Sequence, residues 1–184
     1  MAVQDSAATG TTLIRGGTII TPFKRSHVNI LLKGGKIASV TSTEPKADRV
    51  IDASGLAVIP GVVDPHVHFR QPGMAAEDWV SGSKAAIAGG VTTVLDMPNT
   101  KPATTSQDLL EAKRKLVLTS TAGSLLVNFG FHFGATSSNL EEIRAAGVSS
   151  QETGSIPRQA ASVKIFMGSS TGDLLITDEK ALAS

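Results

Sequence analysis

The stretch DPHVHFRQPG, from Asp64 to Gly73, gathers the residue types that do chemistry. Two of the four histidines, His66 and His68, stand one residue apart at the end of the apolar run LAVIPGVV. On a strand the two-residue period puts both on one face. Two imidazoles side by side suit a zinc-type ion, which accepts such N donors. The plainer alternative is a pair of hydrogen-bonded histidines at a strand end. Asp64 precedes the pair by two on the same face. It is either an outer carboxylate that fixes a histidine tautomer or a turn aspartate before Pro65. Arg70 follows His68 by two. A guanidinium there suits bidentate capture of a substrate carboxylate, and a surface arginine is the alternative.

Further candidates lie in three later segments. Asn99, in DMPNTKP, can hold a polar substrate group, or it is ordinary turn chemistry. Lys164, in SVKIFMGSSTG, sits within an apolar strand, where a lysine is costly unless its charge is lost or paired. Burial favours the neutral amine. A neutral amine takes up carbon dioxide to give a carbamate, a carboxylate on a long arm that can bridge two cations. A lysine snorkelling from a strand end is the alternative. The GSSTG that follows offers backbone N–H groups and hydroxyls. His132, in FGFHFGA, reads as packed or hydrogen-bonded, and His27 as structural.

Composition removes several classes of function. Seventeen basic and sixteen acidic residues leave a formal charge of +1, so nothing points to nucleic acid or an acidic membrane surface. No apolar run approaches the roughly 20 residues of a membrane span. The opening MAVQDSAATG lacks a secretory signal. The absence of cysteine rules out disulfides and thiolate metal sites and fits a cytoplasmic protein. Any metal must be held by N and O ligands.

The elements that must position these residues change character near residue 60. Residues 1–10 read as a tail. Residues 11–58 read as short strands and turns forming a small antiparallel sheet, with Gly34-Gly35 as a hairpin turn and another turn at Ser54-Gly55. From residue 59 strands and helices alternate. Strands are expected near residues 57, 91, 124 and 162. The first helix, in AEDWVSGSKAAIAGG, is expected to bury Trp79, Gly82, Ser83, Ala86 and Ile87. A second is capped by Ser106, with Asp108 in its first turn. A third spans SNLEEIRAAG, and Thr177 caps a last one. This rhythm implies parallel strands with helical crossovers. A closed (β/α)8 barrel needs about 250 residues. The chain therefore holds either a small open α/β sheet or the first half of a barrel.

Taken together, PGVVDPHVHFRQPG, AAIAGGVTTVLDMPNTKP and VKIFMGSSTGDLL resemble, in order, the first-, second- and fourth-strand motifs of the amidohydrolase superfamily, and within it the dihydroorotases. The resemblance covers nearly all of the chain beyond residue 10. It implies an α/β fold: the first four βα units of a metal-dependent (β/α)8 hydrolase barrel over 59–184, preceded by the N-terminal part of a small β-sandwich over 11–58. It implies two zinc ions, with His66 and His68 on the more buried one and carboxylated Lys164 as the bridge. Arg70 and Asn99 would hold the substrate's carboxylate. The implied reaction is reversible hydrolysis of dihydroorotate to N-carbamoyl-aspartate, in pyrimidine biosynthesis, by a cytoplasmic homo-oligomer.

Allantoinases come close in DPHVH but differ at the arginine and after DMP. Dihydropyrimidinases and hydantoinases usually lack the arginine and MPNT. Two histidines from later strands and an aspartate that shuttles protons in the family have no counterpart in the sequence. The expectation is a fragment that is inactive on its own and carries no catalytic proton shuttle. The competing expectations are a related cyclic amidohydrolase and a non-catalytic scaffold that binds another enzyme.

Overall fold

The computed structural model describes residues 10–73, 76–148, 160–168 and 174–183. The chain divides into two compact units, Met1–Gly61 and Val62–Ser184. Most of the N-terminal tail and of GSSTG lies outside the described residues.

The first unit holds β1 (Thr11–Arg15), β2 (Thr18–Ile20), β3 (Arg25–Ser26), β4 (Asn29–Lys33), β5 (Lys36–Thr41), β6 (Arg49–Asp52) and β7 (Ala57–Val58). The expected hairpin is present: Lys33 pairs with Lys36 across Gly34 and Gly35. Both glycines have positive φ, 56° and 70°, the combination a type I′ turn requires. The turn at Ser54-Gly55 also forms, closed by a bond from the Leu56 amide to the Ala53 carbonyl. The expectation of one antiparallel sheet is corrected. There are two sheets, in the orders β5-β4-β1-β6 and β3-β2-β7. Each contains a parallel pair, β1 with β6 and β2 with β7. Strand periodicity shows which face a strand buries, but the direction of its neighbour is set by the intervening connection.

The second unit runs β8 (Val62–Val67), α1 (Trp79–Ala88), β9 (Val91–Asp96), α2 (Gln107–Thr121), β10 (Asn128–Gly134), α3 (Leu140–Val148), β11 (Ser162–Lys164) and α4 (Glu179–Ala183). All strand pairs are parallel, in the sequential order β11-β10-β9-β8. This is the α/β arrangement expected of βα units. Two strands start later than periodicity suggests. Ala57 and Val58 pair with β2 in the first unit, so the first parallel strand begins at Val62. Leu125 and Val127 are buried in the core, but the β10 ladder begins only at Asn128.

The helices start where their caps dictate. Asp78 accepts from the Ser81 amide, and the Ser81 hydroxyl completes a capping box. Ser106 accepts from the Leu109 amide. The last helix is capped by Asp178 rather than Thr177: its side chain accepts from the Lys180 amide and its carbonyl from the Leu182 amide. In α1, Trp79, Gly82 and Ser83 are buried and Ala86 packs on the core. Ile87 lies at the edge of that face and is 39 % exposed.

The core lies between sheet and helices. Trp79 is fully buried and meets the rings of Phe69, Phe129 and Phe131 edge-on, at 4.8, 5.5 and 5.7 Å. Such pairs add about 0.5–1.5 kcal/mol each beyond area burial. Phe129, Phe131 and Phe133 alternate along β10 on the helix side, which leaves Gly130, His132 and Gly134 on the other face.

Candidate active site

The His66 and His68 rings stand 5.2 Å apart between centroids, tilted by 53°. The chain thus brings the two imidazoles together at the C-terminal end of β8. The local backbone explains how. The β8–β9 register shifts between Asp64 and Val67, and the Asp64 carboxylate accepts from the His66 backbone amide at 3.0 Å. Asp64 therefore shapes the bulged strand end. The hydrogen bond it makes here is to the backbone, not to an imidazole. A short polar side chain two residues before an amide closes such a turn readily.

His68 is half-buried and His66 exposed. Burial, then the positive charge of Arg70, then that of His66 hold the His68 pKa below its ordinary 6.5. A hydrogen bond with the Asn99 side chain and the Asp96 carboxylate oppose this. The balance favours the neutral imidazole, the form that binds metal.

Arg70 has a left-handed backbone, φ 61°, uncommon for a residue with a long side chain. Its Nη1 is buried and has no hydrogen-bond partner among the described residues. Asn99 is 8 % exposed in the loop after β9. The Met97 amide donates to the Val67 carbonyl at 3.0 Å, which carries the pairing of β8 and β9 up to the two loops. The loops also meet through the Lys101 amide and the Pro72 carbonyl, 3.0 Å apart. Arg70, Asn99 and the histidine pair thus share one end of the sheet.

Lys164 ends β11, three strands from the histidines in sheet order. Its side chain is half-buried, with Nζ 5.1 Å from the centre of the Phe166 ring. Flat, three strand spacings would be about 14 Å. His132 on β10 reaches over β9 to β8, its Nε2 2.7 Å from the Pro65 carbonyl. A carbonyl only accepts, so Nε2 carries the proton, and Nδ1, 2.6 Å from the Ser162 hydroxyl, is the acceptor in the neutral ring. Both nitrogens are committed, as expected of a hydrogen-bonded histidine. His27 likewise contacts the Thr18 hydroxyl, at 3.3 Å.

Among the described residues no group of three or more His, Asp or Glu side chains could hold a metal ion. The donor chemistry of the His66–His68 pair fits two ligands of a zinc-type ion.

One feature escaped the sequence reading. Asp96, at the end of β9, is 1 % exposed. One of its oxygens accepts from the Phe69 amide at 2.9 Å, and the other lies 2.6 Å from the Lys113 ammonium. Lys113 also donates to the Met97 carbonyl at 3.0 Å. Burial lowers the Lys113 pKa, opposed by the Asp96 charge. The signal was present in α2, where Lys113 falls on the buried stripe with Leu110, Val117 and Thr121. A cation on the apolar stripe of a helix calls for a buried partner.

Comparisons with known proteins agree with this architecture. Residues 57–145 match the amidohydrolase family. A dihydroorotase of Methanosarcina acetivorans is 40 % identical over 156 residues, covering 82 % of this chain and 30 % of the relative. An allantoinase of Salmonella choleraesuis is 35 % identical over 133 residues, 71 % of this chain and 28 % of the relative. Among solved structures, the L-hydantoinase (dihydropyrimidinase) of Arthrobacter aurescens superimposes with a TM-score of 0.73 at 30 % identity, covering 90 % of this chain and 35 % of that one. The chain spans about a third of the length of the relatives it matches. No helix among the described residues is long and apolar enough to cross a membrane. Residues 57–145, which carry the His66–His68 pair and the strands β8 to β10, are thus the part of the chain that is similar to the amidohydrolase family.

Proposed function

We propose that this chain is the N-terminal part of a dihydroorotase-type cyclic amidohydrolase, one that opens dihydroorotate reversibly to N-carbamoyl-aspartate. His66, His68 and carboxylated Lys164 would hold a pair of zinc ions. When bound, such ions polarise a carbonyl and lower the pKa of water. The chain's own residues bind and orient. His68 offers a neutral nitrogen, favoured by its burial beside Arg70. Arg70 and Asn99 hold the substrate's carboxylate and thereby fix which amide of the ring faces the metals. The His132–Pro65 bond, which reaches over β9 from β10 to β8, supports a curled sheet that would bring Lys164 toward β8, as in a half-barrel.

The observation that carries the substrate assignment is Arg70: a guanidinium next to the histidine pair with a buried, unpartnered Nη1. A donor left so is costly until an acceptor arrives, and a carboxylate is the acceptor whose geometry matches it. Dihydroorotate has a carboxylate, and allantoin and dihydrouracil have none.

The test is a substrate panel on a complete barrel carrying these residues as its first part. Dihydroorotate is the expected substrate, and a preference for allantoin or dihydrouracil would overturn the assignment. The 184-residue chain alone supplies three candidate ligands for two ions. It is expected to be inactive, and dihydroorotate turnover by it at a complete enzyme's rate would contradict the half-site.

A further inference from the structure

The buried pair Asp96–Lys113 holds neither substrate nor metal in the reading above, yet Asp96 bonds to the backbone between His68 and Arg70. We infer that it is a positioning device that fixes the Phe69 amide and so sets the Arg70 guanidinium for carboxylate capture. The inference rests on the reading of Arg70 as the carboxylate-holding residue.

Four observations support it. Asp96 spends one oxygen on the Phe69 amide while Lys113 holds the other, and Lys113 is itself anchored to the Met97 carbonyl. The carboxylate therefore cannot rotate away from Phe69. The Phe69 ring is gripped as well, edge-on to Trp79 at 4.8 Å and against the bare backbone of Gly82, where a Cβ would come within 2.6 Å of it. Phe69 is thus held at both ends, and the next residue, Arg70, has the left-handed backbone. Such conformations persist only where the surroundings over-determine them. Finally, replacing a buried ion pair by apolar residues of similar volume is often neutral or stabilising, so stability alone is a poor reason for this one. What apolar side chains cannot supply is an oriented acceptor for the Phe69 amide.

The experiment uses the ¹⁵N-labelled chain and two probes, dihydroorotate and succinate. Succinate reports carboxylate capture without depending on the substrate assignment. In the unsubstituted chain succinate is expected to shift the Arg70 Nε–Hε and Phe69 amide resonances. The double variant Asp96→Ala/Lys113→Met removes both charges and the acceptor together. With native circular dichroism and Trp79 fluorescence, it is expected to bind succinate at least fivefold more weakly. A smaller loss overturns the positioning role, since a purely structural pair would change stability and leave carboxylate affinity alone. Binding and positioning are reciprocal, so hydrogen exchange supplies a second test that needs no variant. Saturating succinate should slow Phe69 amide exchange at least fivefold, and an unchanged rate overturns the proposal. No succinate response at Arg70 in the unsubstituted chain also overturns it. If succinate behaves as expected and dihydroorotate does not bind this half-site, the positioning role stands, and the dihydroorotase reading is decided separately by the substrate panel on the complete barrel.

Discussion

Replacing Gly82 by alanine separates helix propensity from packing at the base of the site. In an ordinary helix interior, Gly→Ala stabilises by about 0.5–1 kcal/mol. Here the added Cβ would lie 2.6 Å from Cδ1 and Cε1 of Phe69 and 2.9 Å from its Cζ. The ring has nowhere to go. Phe69 is 7 % exposed, packs on Trp79, and has its amide tied to Asp96. Overpacking of this kind costs about 1–3 kcal/mol, which exceeds the propensity gain. The expected net loss is about 1–2 kcal/mol, or a fall in Tm of roughly 3–6 °C for a chain of this size. Thermal unfolding followed by Trp79 fluorescence measures it directly. The companion variant Phe69→Leu/Gly82→Ala should lose less than the sum of its single changes, because the smaller side chain relieves the overlap. A Gly82→Ala protein that melts at or above the unsubstituted temperature would refute the claim that Phe69 is immobile.

Two further outcomes follow from the geometry. Ser106→Ala removes the acceptor for the Leu109 amide and should cost about 1 kcal/mol, read from urea unfolding with an unchanged m-value. His68 should titrate below 6.5 in an NMR pH series of the metal-free chain, and Arg70→Gln should raise its midpoint by removing a neighbouring positive charge. The sign for stability follows: the unfolded chain takes up this proton more readily, so stability falls as the pH drops below about 6.5 and levels off beneath the folded midpoint.

Much of the second unit was legible because it is built from local signals. Ser106 marks a helix start by its own side chain, and the strand–helix alternation gives parallel strands whatever the surroundings. The pairing of His66 with His68 followed from the two-residue period alone. Other features depend on partners distant in sequence. That the Asp64 carboxylate bonds to the His66 amide depends on a register shift between β8 and β9. Lys113 and Asp96 are 17 positions apart on different elements, and neither spacing nor composition joins them. The parallel partners of β1 and β2 depend on long connections in the first unit, which periodicity does not encode.

The sequential order of β8, β9, β10 and β11 also bears on how the sheet is made. Each strand docks on the edge left by its predecessor, so the sheet can grow in the direction of synthesis, one βα unit at a time, without waiting for distant sequence. The His132–Pro65 bond spans two strands and can form only after β10 is in place. It ties the register of β10 to that of β8 across the strand between them.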